Sequence, residues 1–344
     1  MEYIVSNPSI QDVKIKSPLV VLGLPRSGTT LIHRLLACDP VARGFKTFEM
    51  LASLGSDLVP PPNKTNYTNH RNITTIEKGM TRLELLFPNW LSEYRESHFT
   101  AADEYEEEVL IAMHQGYNFV NHPAVLEMYR NQSYMLQVYV YMKRYIQMLV
   151  SGFTNVSHIV LKSPIHSDSL HALLSVFPDA RVVIMNRSST QVVPSATLLT
   201  SRMISSKIKP GKIDAREFGQ QTLDRMVSMH KSIVTFCGLV AARQVKLMPN
   251  VATDPPMKDH QVSASQFINV EYDDLVTRPV ETVHAVYKHF GMPVTKEFDD
   301  AMREYLAENP QGKHVKSRLD SKQMFGFTDT SILKAFEAVQ TVDH

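Results

Sequence analysis

The octapeptide Gly23-Leu24-Pro25-Arg26-Ser27-Gly28-Thr29-Thr30 constrains this chain more than any other stretch. It follows the apolar run Leu19-Val20-Val21-Leu22 and precedes Leu31-Ile32-His33-Arg34-Leu35-Leu36, whose apolar residues have helical spacing. Strand, glycine-bounded turn and helix in that order make a cradle for phosphate-like anions. The glycines let the backbone aim N–H groups inward, and the helix start adds partial positive charge. The frame is G-x-x-x-x-G-K-[ST] with one departure, Thr29 in the lysine position. In nucleoside triphosphatases that lysine reaches the β- and γ-phosphates and the next hydroxyl binds magnesium. Here the cation stands inside the loop as Arg26, so the loop suits a phosphate-like group and is poorly built for triphosphate chemistry.

A second cluster lies far along the chain. Ile159-Val160-Leu161 reads as a buried strand ending in Lys162-Ser163-Pro164, Ser169 to Phe177 as a helix, and Arg181 to Met185 as another buried strand ending in Asn186-Arg187. Strand, helix and strand predict a right-handed βαβ unit in a parallel sheet, where ligands sit beyond the carboxyl ends of the strands. Lys162 and Arg187 both fall at such ends. Ser195 comes eight residues after Arg187, where a helix is expected to start. A fork-shaped cation with a hydroxyl donor beside it is what a second phosphate requires.

These anchors together, Pro25 to Thr30, Val160 to Pro164, and Phe177-Pro178-Asp179-Ala180-Arg181 through Arg187 and Ser195, resemble the broad sulfotransferase family of bacteria, algae and other eukaryotes, which is related to tyrosylprotein sulfotransferases. The likeness spans roughly residues 17 to 327. It implies an α/β, P-loop-type three-layer fold, with a central parallel sheet flanked by helices and a helical insertion shaping the acceptor site. It implies transfer of a sulfuryl group from 3′-phosphoadenylyl sulfate (PAPS) to a hydroxyl or amine, with adenosine 3′,5′-bisphosphate as product and no metal. Arg26, Ser27, Gly28, Thr29 and Thr30 are then expected around the 5′-phosphosulfate, and Arg187 with Ser195 on the 3′-phosphate. Tyr272, in Asn269-Val-Glu-Tyr-Asp-Asp-Leu275, is expected near the nucleotide, and Lys313 and His314 in a C-terminal basic loop. Arg26 and Lys162 are the expected stabilisers of the transferring group. Glu49, 23 residues after Arg26 and past an expected second strand at Gly44-Phe45-Lys46-Thr47, is the expected general base. The chain departs from the family pattern at Ser188-Ser189, where Asp-Pro is common, at Asn186, and in Lys313-His314-Val315-Lys316, where an aromatic often follows the histidine.

One domain over residues 1–344 is expected, because the two anion motifs must meet in one crevice. Its parts would be 17–50 for the phosphosulfate loop and second strand, 73–150 for the helical insertion, 158–202 for the 3′-phosphate unit and 310–327 for the basic loop. Helical periodicity marks Ile73–Leu86, Asp103–Val120 and Ser133–Val150. Gly55 to Asn72, rich in Pro, Asn and Thr, reads as a rim loop of the acceptor site. The run Glu106-Glu107-Glu108 reads as an acidic helix start, and His98, His114 and His166 as weaker candidates for a base.

A formal net charge of +1 argues against a general nucleic-acid or membrane-surface binder. Two cysteines, Cys38 and Cys237, read as buried thiols rather than a disulfide or metal framework. No apolar run is long enough to span a bilayer, and the polar first residues do not read as a secretory signal, so a cytoplasmic address and no stable membrane insertion are expected. The N-x-[ST] sequons, among them those at Asn63, Asn66, Asn72, Asn131 and Asn155, then have no glycosylation role. The expected partner is a small-molecule acceptor; a homodimer stays open. Two other readings compete: a P-loop kinase or nucleotide-binding protein, and a catalytically inactive binder on the sulfotransferase fold.

Overall fold

The computed structural model describes residues 2–51, 70–117, 123–153, 155–205, 214–248, 261–310 and 320–340. Its centre is a sheet of β1 (Leu19–Gly23), β2 (Ala42–Arg43), β3 (His158–Lys162), β4 (Arg181–Asn186) and β5 (Phe267–Glu271). Every pairing is parallel, in the order β2-β3-β1-β4-β5. Because β1 lies between β3 and β4, the βαβ unit read from residues 158–202 straddles β1 instead of joining neighbours. The chain steps to one side of β1 and then to the other, which opens a crevice at its carboxyl end. The second strand falls at Ala42–Arg43, not at 44–47. Lys46 makes only an isolated antiparallel bridge to Tyr105, and Thr47 already opens a helix, its N–H donating to the Glu104 carbonyl at 3.0 Å.

Alternation along the strands gives the sheet two apolar faces. Val20, Leu22, Ile159, Leu161, Val182 and Ile184 join one buried cluster, and Leu19, Val21, Val160, Val183, Met185 and Val270 join another. Such doubly buried, branched strands are what a parallel sheet needs when helices cover both faces. The helices are α1 (Glu2–Ser6), α2 (Thr29–Leu36), α3 (Thr47–Leu51), α4 (His70–Leu86), α5 (Trp90–Ser97), α6 (Val109–Met113), α7 (Pro123–Arg130) and α8 (Gln132–Val150). They continue as α9 (Leu170–Val176), α10 (Ser189–Ser205), α11 (Ala215–Ala241), α12 (Tyr272–Thr277), α13 (Pro279–His289), α14 (Lys296–Glu308), α15 (Ser321–Phe325) and α16 (Asp329–Gln340). Helices α8 and α9 cover the first face; α2, α13 and α14 cover the second. Ser195 lies inside α10, just past Pro194, rather than at its start.

The insertion between β2 and β3 differs from the sequence reading at residues 103–108. That segment is turn and extended chain, and only Glu108, as the residue before α6, touches a helix. Its carboxylates take buried partners far away in sequence, which a helix start would not have allowed. Asn131 caps α8 by accepting from the Tyr134 N–H at 3.1 Å.

Candidate active site

The loop after β1 has the geometry an anion cradle needs. Gly23 sits at φ 145°, and a Cβ there would lie 2.6 Å from the Met185 carbonyl oxygen on β4. Gly28 precedes α2 at φ 95°, where a Cβ would press 2.8 Å from the Tyr272 ring. Between them Arg26 is held at φ 72°, a conformation costing roughly 1–3 kcal/mol for a side-chain-bearing residue and concentrated at ligand sites. The loop closes on itself: the Ser27 hydroxyl donates to the Leu24 carbonyl at 2.7 Å. Ser167 anchors its base, its hydroxyl donating to the Gly23 carbonyl at 3.0 Å and accepting from the Gly23 N–H at 3.3 Å.

Arg187, at the end of β4, reaches this loop. Its Nη1 donates to the Arg26 carbonyl at 2.9 Å, and its guanidinium lies 3.8 Å over the Tyr272 ring. Arg26 Nε in turn donates to the Ser195 hydroxyl at 3.2 Å. The residues from three separate motifs therefore converge. Burial, and then the nearby Arg187 charge, push the Arg26 guanidinium below its ordinary range. Among the described residues no carboxylate lies within salt-bridge distance of either guanidinium. Two like charges held together, with the Arg187 guanidinium over an aromatic face and no described carboxylate partner for either, are what a receptor for an anion requires.

Lys162 at the end of β3 is fully buried, so its ammonium needs countercharge. Nζ lies 2.8 Å from Glu107 Oε1, 3.9 Å from Glu106 Oε1 and 3.5 Å from Thr30 Oγ1. Glu106 is also bonded to His98 Nε2 at 2.9 Å. Burial alone would raise the Glu106 pKa, but the His98 and Lys162 charges and the hydrogen bonds outweigh it and hold the carboxyl far below the carboxylate range. Glu108 accepts the Lys162 N–H at 2.8 Å and pairs with His166, whose Nδ1 meets the Tyr139 hydroxyl at 2.7 Å. The Glu106–Glu108 run thus turns its three carboxylates, two of them buried, to His98, Lys162 and His166.

One cavity of about 990 Å³ reaches the two arginines and the Glu106–Glu107 carboxylates; Lys162 stands behind its wall, touching the lining residues Thr30 and Glu107, and Ser27 does not line it. Arg26, Gly28, Thr29, Thr30, Arg187, Ser195 and Tyr272 line its polar end, with Glu106, Glu107 and His98 beside them. Beyond lies an apolar chamber walled by Met80, Leu83, Phe87 and Trp90 of the α4–α5 region, Leu110 and Met113 of α6, and Leu199, Met203, Met226 and Met229 of α10 and α11. Trp90 ties α5 to α10 through a 3.0 Å hydrogen bond from Nε1 to the Arg202 carbonyl.

Glu49 stands elsewhere. It is 1% exposed and is not among the described residues lining the cavity. Its carboxylate pairs with Arg43 and accepts the Lys46 N–H at 2.8 Å, while its carbonyl accepts the Tyr145 hydroxyl at 2.8 Å. The shifted second strand explains this: Arg43 belongs to β2, and the turn into α3 folds Glu49 back onto it. His166 is locked between Tyr139 and Glu108, and His114 meets the Tyr141 hydroxyl at 3.1 Å. Lys313 and His314 lie outside the described residues. Glu107, read from sequence as part of an acidic helix start, is drawn instead to the buried strand-end Lys162, which demands an acidic partner.

The profile described as the sulfotransferase family matches residues 18–296. Two curated relatives, both omega-hydroxy-beta-dihydromenaquinone-9 sulfotransferase Stf3, from Mycobacterium bovis and Mycobacterium tuberculosis, are 22% identical over 329 residues, covering 89% of this chain and 71% of theirs. Among solved structures, sulfotransferase STF9 from Mycobacterium avium superposes with a TM-score of 0.77 at 23% identity, covering 99% of this chain and 81% of that one. Sulfotransferase STF1 from Mycobacterium tuberculosis gives 0.73 at 23% identity, covering 98% and 80%. With the profile running from the start of β1 to the start of α14, the chain belongs to the sulfotransferase family, and its reaction is the transfer of a sulfuryl group.

Proposed function

We propose that this chain moves the sulfuryl group of PAPS to the hydroxyl of an acceptor with a largely apolar body. The observation that carries the reading is the single cavity in which the Arg26–Arg187 pair at one end opens onto an apolar chamber at the other. In this reading the Gly23–Thr30 amides, Thr29, Thr30 and Arg26 hold the 5′-phosphosulfate. Arg187 and Ser195 hold the ribose 3′-phosphate, and Tyr272 packs beside the nucleotide. A P-loop kinase is the poorer fit, because Thr29 replaces the lysine that such chemistry places on the β- and γ-phosphates.

Transfer is in line. The acceptor oxygen forms a bond to sulfur while the bond from sulfur to the bridging oxygen breaks, and the electron pair leaves on the 5′-phosphate of adenosine 3′,5′-bisphosphate. Charge building on that oxygen is met by Arg26, Lys162 and the loop N–H groups, preorganised as electrostatic catalysis requires. The acceptor proton goes to Glu107. This carboxylate lines the cavity and sits 2.8 Å from Lys162, which stands within 3.5 Å of Thr30. When the anionic donor shares the Lys162 ammonium, Glu107 becomes the better proton acceptor. Glu49, the base expected from sequence, has both oxygens engaged away from the cavity. A hydroxyl-bearing acceptor is also what the name of Stf3 states for that relative.

The test pairs two measurements. Adenosine 3′,5′-bisphosphate should raise the melting temperature where ATP with magnesium does not, the gain growing as RT ln(1 + [L]/Kd). Radiolabelled PAPS should then label a long-chain alcohol in preference to a sugar. Stabilisation by ATP with magnesium alone would turn the assignment to a kinase.

A further inference from the structure

Helix α4 carries two apolar faces where a surface helix needs one. At about 100° per residue, Ile76, Met80, Leu83 and Phe87 share one side, and the last three of these line the cavity. Leu85 projects from the opposite side and Leu86 from the flank between the two; they are 77% and 71% exposed, the most exposed leucines of the described chain. Lys78 and Arg82, both exposed, lie on that same outer side, one and two turns before the leucines. The acidic residues of α4 are used differently. Glu77 accepts the Ala102 N–H at 3.0 Å and Glu84 accepts the Leu91 N–H at 2.7 Å. The outer face of α4 therefore presents cations followed by bare leucines. Leu83 and Phe87, 40% and 38% exposed, form the lip between that face and the cavity.

We propose that the C-terminal half of α4 docks on an anionic lipid bilayer, so that an acceptor dissolved in the membrane enters the cavity over Leu83 and Phe87 without crossing water. Apolar side chains beside cations are the composition that seats a helix at the headgroup boundary. Continuity with the cavity mouth selects a membrane over a second copy of the chain, because a protein partner on these leucines would lie across the entrance its acceptor uses. The contact is local and peripheral: it draws on Lys78 and Arg82 rather than on the chain's net charge of +1, and no described helix is long and apolar enough to cross a bilayer. The inference rests on the apolar-acceptor reading for its purpose, but its geometry stands on α4 alone.

Flotation with phosphatidylcholine vesicles containing phosphatidylglycerol tests it. Wild-type protein should float. Leu85→Asp/Leu86→Asp should lower vesicle binding about tenfold or more. Lys78→Glu/Arg82→Glu should lower it about tenfold on the anionic vesicles and little on pure phosphatidylcholine. Stabilisation of both variants by adenosine 3′,5′-bisphosphate, equal to wild type, shows that the fold is intact. Turnover of a short soluble alcohol, read in parallel, should survive in Leu85→Asp/Leu86→Asp; its absence in wild type would count against the acceptor reading and leave the flotation result standing. Wild-type protein that stays at the bottom of the gradient overturns the proposal. So does equal flotation of the leucine variant, or a concentration-dependent dimer that this variant abolishes while vesicles bind neither form.

Discussion

The two ends of the cavity are built by opposite means. The polar end is made of backbone and charge: a glycine-bounded turn and two arginines at the ends of adjacent parallel strands, with a hydroxyl from α10 beside them. The apolar end is made of side-chain volume, contributed by helices α4 to α6, α10 and α11. A phosphate binds through a few directional bonds, so its receptor tolerates little displacement. An apolar body binds through area, so its chamber can be walled by methionine and leucine from any element that passes. Glu106 and Glu107, held by the buried Lys162, line the cavity that joins the two.

The largest break in this comparison comes from that junction. Glu107→Gln should lower kcat by about 10²–10⁴ while sparing bisphosphate binding, as loss of a general base does. Glu49→Gln should do the reverse. It leaves Arg43 without its carboxylate and costs about 3–5 kcal/mol of stability, with turnover per folded molecule kept. Rapid-quench kinetics beside urea denaturation separates the two; a kcat collapse in Glu49→Gln alone would restore it as the base.

A middle-sized effect should mark the acceptor wall. Met203→Trp narrows the chamber and should raise KM for a long apolar alcohol about tenfold, with little change for a short one. Bisphosphate affinity, measured by calorimetry, should stay within about twofold if the ends are independent. Coupled losses at both ends would mean that they are one site.

The smallest effect belongs to the sheet half. Burial lowers His33 to about 3 and His158 to about 4, from 6.5. Below pH 6.5 the unfolded chain binds protons that these folded imidazoles refuse, so stability falls as pH drops from there towards 3. Each histidine contributes at most about 1.4 kcal/mol per pH unit. Urea midpoints at pH 7 and pH 5 should differ, and His33→Gln should reduce the difference. An unchanged midpoint in wild type contradicts the assignment.

Legibility in the sequence follows the same divide. Gly23 to Thr30, Lys162, Arg187 and Tyr272 were readable because each sits at a strand end fixed by local pattern, and the topology of a parallel sheet brings strand ends together. Residues 103–108 were misread as helical because three successive glutamates fit a helix start, while the partners that draw them inward, Lys162, His98 and His166, are set by tertiary packing. Helices α5 and α7 and most of the chamber's walls are hard to read for the same reason: apolar helical residues, Phe87 and Trp90 among them, look alike whether they fill a core or line a cavity. A two-residue shift of the second strand was enough to move Glu49 from the rim into the Arg43 pair.

The central claim is that Arg187 reads a phosphate that the Gly23–Thr30 turn does not. Calorimetric affinities of adenosine 3′,5′-bisphosphate and adenosine 5′-monophosphate for wild type and Arg187→Ala test it most directly. Arg187→Ala should lose about 10- to 100-fold for the bisphosphate, the worth of a charge-assisted pair, and leave the monophosphate unchanged. Equal losses for both nucleotides, or none for either, would contradict the account.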